Sequence, residues 1–140
     1  MQEKADTGSN EQIIDEALES GRQYLDEALP EIRVLAEDFY RGPDAPAWTK
    51  FGKMTEGLDW LMHMLYSVAA NSGLYFNAES YRETYIRLGD LLGELSDAVE
   101  GGDTVLTADL ILHEFAPALE FLRDTMEETM AGKYGAENFH

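Results

Sequence analysis

The chain predicts an all-α fold, an antiparallel up-down-up-down four-helix bundle, on three observations. Four segments repeat apolar residues at alternating steps of three and four. No segment alternates with the period of two that a half-buried strand needs. The connections between segments are short and rich in turn formers, which forces neighbouring helices to run in opposite directions.

The first segment carries Ile14, Leu18, Gly21, Leu25, Ala28, Ile32, Leu35 and Phe39. Ser9 and Gln12 have the spacing of a capping box, which places the helix start near Asn10. Arg41 to Pro46, with its glycine and two prolines, stops this helix and starts the next. The second segment carries Ala47, Phe51, Met54, Leu58, Leu61, Leu65 and Val68, and ends in the stretch Asn71 to Asn77. The third, capped by Asn77, carries Tyr81, Tyr85, Leu88, Leu92, Leu95 and Val99. Gly101-Gly102-Asp103 is a tight turn in which Asp103 or Thr104 caps the fourth helix. That helix carries Val105, Ala108, Leu112, Phe115, Leu119, Leu122 and Met126. A mean step of about 3.5 is the seam of helices packed at a shallow angle. One folded domain over residues 9–131 is expected, with residues 1–8 and 132–140 as frayed tails.

Pro30 and Pro117 fall inside the first and fourth helices, where a proline costs roughly 3 kcal/mol. Both sit opposite the seam, so each freed carbonyl faces water and the seam keeps its phase. Kinked or curved helices are expected rather than breaks.

The 140 residues hold 28 Asp and Glu against 10 Lys and Arg, a net charge of −18. Such a chain repels nucleic acid and anionic membrane surfaces, both of which select basic proteins. The 44% hydrophobic content argues against disorder despite that charge. The absence of cysteine removes disulfides, iron–sulfur clusters, Cys-zinc sites and thiol nucleophiles. The first ten residues lack an apolar core, so no secretory signal is expected. The longest apolar stretch, Leu58 to Ala70, is interrupted by Asp59, His63 and Ser67 and falls short of a bilayer. A cytoplasmic protein is the expectation.

Motifs for chemistry are sparse. A di-iron bundle needs two Glu-x-x-His motifs on separate helices. The chain has one such spacing, Glu137 to His140, and its seams contain no Asp or Glu. No oriented catalytic serine and no phosphate-cradling glycine loop is present, so no enzyme activity, cofactor or metal is expected. His63 and His113, with nearby carboxylates, form the alternative, a metal or small-ligand site. The carboxylates of the first helix read as a solvated face, or as an acidic surface for a basic partner.

One feature exceeds what a monomeric bundle needs. The fourth helix has a second apolar stripe, Leu106, Leu110, Pro117 and Phe121, on positions that should face water. The second helix has a comparable excess in Trp60, Met62, Met64 and Tyr66. Contiguous exposed apolar surface marks an interaction site. Trp60, Met64, Leu106, Leu110, Pro117 and Phe121 are therefore the candidate residues for a protein partner or a homodimer, unless the Leu74-Tyr75-Phe76 loop covers them.

The stretch Gly102 to Glu120 resembles the Gly-Asp-x-Val-Leu-x-Ala-Asp-Leu segment of short, uncharacterised bacterial helical proteins. The resemblance spans about 20 residues and implies a domain of unknown function without catalytic residues. Within it, Asp103 reads as an N-cap and Asp109 as a flank residue that pairs with a neighbouring helix. Size, acidity and helical build are also similar to flagellar export chaperones, a likeness of fold class alone.

Overall fold

A computed structural model describes the backbone of residues 2–138 and the side chains of residues 11–71 and 73–132. Helix α1, Gln2–Arg41, buries every residue of its expected seam from Ile14 to Phe39, and adds Leu29 and Ala36. It opens at Gln2 rather than near Asn10, so Ser9 and Gln12 lie inside it and do not cap it. The preceding residues include Glu3, Ala5 and Asp6, types that favour a helix and its positive N-terminal end. Pro30 stands within α1, exposed, without ending it.

The turn after α1 needs Gly42, whose φ of +100° is costly for a residue with a Cβ. Helix α2, Ala45–Ala70, is capped by Asp44, whose carboxylate accepts from the Ala47 amide at 2.9 Å. A short 3₁₀ turn, Ser72–Leu74, leads to helix α3, Ala78–Glu100. Between them Tyr75 turns inward, and its hydroxyl donates to Asp15 of α1 at 3.0 Å.

The seam of α3 departs from expectation at every second position. Tyr81, Leu88 and Leu95 are buried as read, but Thr84, Leu91 and Ala98 fill the places assigned to Tyr85, Leu92 and Val99. Thr84 is tolerated there because its hydroxyl donates to the Ser80 carbonyl at 2.9 Å, leaving its methyl to pack.

The fourth helix is built from α4, Thr104–Leu110, a π turn, Ile111–Phe115, and α5, Ala116–Asn138. Gly102 supplies a φ of +70° before it, and Asp103 caps it by accepting from the Leu106 amide at 2.9 Å. The helix reaches Asn138 rather than stopping near residue 131. The π turn lies immediately upstream of Pro117, which has no N–H to give the His113 carbonyl and whose ring crowds that carbonyl. The Ala116 amide instead bonds the Ile111 carbonyl, five residues back.

Contacts between helices fix the arrangement. Along α1 the numbers fall as those of the fourth helix rise: Tyr40 meets Asp109, Arg33 meets Glu120, Asp26 meets Arg123, and Gly21 meets Met126. Phe39 packs on Trp48 and Phe51 of α2, Tyr66 of α2 lies near Tyr85 of α3, and Tyr81 of α3 reaches Thr129 of α5. The four helices thus form a closed ring in which α1 packs against α2 and the fourth helix, and α3 does the same. The buried polar residues among those described are Thr84, Thr107, Thr125 and Thr129, so the core carries no carboxylate.

Candidate functional site

The π turn redistributes the fourth helix's apolar residues. Inserting one residue into a helical repeat rotates everything upstream by about 100°. The outer stripe therefore passes from Pro117 and Phe121 to Asp109 and Val105, not to Leu110 and Leu106. Leu110, expected outside, is 8% exposed, while Val105, expected in the seam, is 53% exposed. Ile111 is fully buried in the seam position assigned to Leu112, which is half-buried.

Of the six candidate partner residues, Leu106, Pro117 and Phe121 are exposed on the fourth helix, Phe121 at 50%. Leu110 and Met64 belong to the core, Met64 because it lies one step from the seam residue Leu65 and packs near Gly21. Trp60 is 43% exposed, but it lies on α2 beside Ser20 and Tyr24 of α1. The six therefore do not form one surface. The Leu74-Tyr75-Phe76 loop covers none of the outer residues: Tyr75 reaches Asp15, and the Phe76 ring stands over Gly132.

The outer face of the fourth helix is flanked by polar pairs. The Tyr40 hydroxyl donates to Asp109, which raises the Tyr40 pKa through that hydrogen bond, as well as through burial and the carboxylate's charge. Asp109 thus pairs with α1, as its flanking position suggests. On the other flank Arg87 of α3 pairs with Glu114. The two pairs thus flank the π turn, one toward α1 and one toward α3.

Sequence reasoning missed a second feature, a cleft of about 530 Å³ between α1 and α2. It is walled by Tyr24, Ala28, Ile32, Leu35 and Met54, with Glu31, Lys50 and Lys53 also lining it. A hollow of about 310 Å³ adjoins it across Tyr24, lined by Ser20, Gly57 and Trp60. Burial raises the Tyr24 pKa, helped by the charge of Glu31. Gly57 was the available signal, since a side chain there would collide with the Tyr24 hydroxyl.

The histidines do not converge. His63 is exposed on α2, its ring Nδ1 2.8 Å from the Asp59 carbonyl, and His113 is exposed in the π turn. The Glu137–His140 pair lies outside the described side chains. Among the described residues no group of three or more His, Cys, Asp or Glu is placed to hold a metal ion. Among them, too, no helix is long and apolar enough to cross a membrane.

Fold and surface together define an acidic, all-α four-helix bundle with uncovered apolar residues on its fourth helix. The chain belongs to the family described as a domain of unknown function (DUF8042), which matches residues 16–125. That span takes in all four helices. No curated protein and no solved structure matches the chain.

Proposed function

We propose that this chain is a non-enzymatic docking bundle that acts through protein–protein contact on the outer face of its fourth helix. The observation that supports this reading is the exposure of Phe121 one turn beyond exposed Pro117, on a stripe that continues past Asp109 to exposed Val105. Single exposed apolar residues are ordinary, but a row along one helix suits a partner helix laid alongside it. Phe121 is the anchor in this reading, because buried aromatics dominate interface energies.

The charge favours a partner over a second copy. Two chains of −18 repel one another, whereas a basic helix is drawn toward such a surface. An acidic helical bundle of this size suits an adaptor or chaperone-like role.

The test is a Val105→Asp, Phe121→Asp double variant, compared with the unaltered chain by sedimentation and by pull-down from the native host. Captured protein lost in the variant, with the helical circular dichroism unchanged, supports docking. A concentration-dependent mass in the unaltered chain, lost in the variant, assigns the face to self-association. Identical captures and masses for both proteins overturn the proposal.

A further inference from the structure

We infer that the fourth helix is built to run in two registers: a resting one with the π turn, and an unbroken α-helix in which Thr104–Leu110 has rotated by about 100°. Each register has its own seam. With the π turn in place, Thr107, Ala108, Leu110 and Ile111 are buried, Val105 is exposed and Leu112 is half-buried. Without it, steps of three and four run uninterrupted from Met126 back through Leu122, Leu119, Phe115, Leu112 and Ala108 to Val105, every one apolar. Val105 and Leu112 are thus surplus in the first packing and complete the core in the second. Two apolar seams one residue out of phase are what a helix with two discrete packings requires.

Named contacts hold the resting register. The Pro117 ring crowds the His113 carbonyl in an unbroken helix, and the π turn avoids that clash. The bond from Tyr40 to Asp109 ties α4 to α1, and the rotation breaks it. At the upstream end the Gly101-Gly102 turn, with Gly102 at a φ of +70°, gives the backbone the freedom to take up the rotation. The second register gathers Leu106, Leu110, Pro117 and Phe121 into one outward row. Its use rests on the docking reading above: a partner helix laid on that row gains Leu110, which the resting register keeps in the core. That difference in contact is what draws the helix from one register to the other.

The chain has no cysteine, so single-cysteine variants of it report exposure at chosen positions by their rates of thiol labelling. Thr107 and Ala108 are equally hidden, at 1% and 0% exposed. The rotation brings Thr107 to solvent and leaves Ala108 inside, whereas fraying or global unfolding exposes both. In the full chain without denaturant, Thr107→Cys should label at least about tenfold faster than Ala108→Cys. Adding Pro117→Ala should speed labelling at Thr107→Cys about tenfold more and leave Ala108→Cys unchanged. Equal rates at the two positions, or a rate at Thr107→Cys that Pro117→Ala does not alter, overturns the inference. The first comparison needs no change at Pro117 and decides by itself should that variant fail to fold. Both are read without a partner, so a failed pull-down removes docking and leaves the two registers standing.

Discussion

Tyr24 of α1 occupies the space that a side chain at Gly57 of α2 would need. The two helices therefore approach there as closely as a phenol on bare backbone allows, and this approach separates the cleft from the hollow beside Trp60. Gly57→Ala should destabilise the fold by about 1–2 kcal/mol, as overpacking does. In a Tyr24→Ala background the same change should stabilise by about 0.5–1 kcal/mol, because alanine is the better helix residue. Urea unfolding of the four proteins of this cycle checks the reversal of sign.

Leu110 and Leu106 both lie on α4 just upstream of the π turn, Leu110 turned into the core and Leu106 left exposed. Leu110→Asp places a carboxylate in the core and should cost more than about 3 kcal/mol. Leu106→Asp, on an exposed residue, should stay within about 0.5 kcal/mol. Thermal melts of the two variants suffice. Equal costs would mean that the helix keeps an unbroken α register.

Alkaline pH should act through Tyr75 and Tyr81. Burial pushes the Tyr81 phenol up to about 12 from about 10, and raises Tyr75 too, with help from the Asp15 carboxylate it bonds. Both shifts keep the folded chain protonated where the unfolded chain has begun to ionise. Stability should hold below about pH 10 and fall as pH rises from there toward about 12, by up to about 1.4 kcal/mol per pH unit for each tyrosine. Tyr81→Phe should make that fall shallower, while costing about 1 kcal/mol at neutral pH for the lost bond to Thr129. Chemical denaturation across the pH series reads both effects.

The caps give a smaller effect. Asp44→Ala and Asp103→Ala should each cost about 1 kcal/mol, and Asp103→Asn close to nothing, since an amide oxygen accepts from the Leu106 amide equally well. Guanidinium midpoints measure the difference.

The legible part of this fold was its large apolar residues. The α1 seam reads directly because each of its turns presents leucine, isoleucine, phenylalanine or a small residue against polar neighbours. In α3 the reading slipped where a buried threonine stood beside a tyrosine. Hydropathy favours Tyr85 over Thr84, but the local bond from Thr84 to Ser80 removes the polar penalty. Asn77 shows a similar limit. It stands at the start of α3 as its type suggests, yet makes no cap bond. Its amide instead donates to the Thr125 carbonyl at 3.3 Å, and its oxygen lies 3.0 Å from the Thr129 hydroxyl. The candidate site was half legible: exposed Phe121 and Pro117 follow from periodicity, whereas the cleft depends on which helix faces meet, and no single helix carries that information.

The π turn also bears on how this chain tolerates change in length. A one-residue insertion or deletion in a packed helix normally turns every residue on one side out of register. Here the surplus residue is already present and already absorbed, with Tyr40–Asp109 fixing the frame above it and Arg33–Glu120 the frame below. Removing one residue between Ile111 and Phe115 should therefore close the turn into plain α-helix and leave both frames in place, so that the segment behaves as a length-tolerant joint in an otherwise rigid rod.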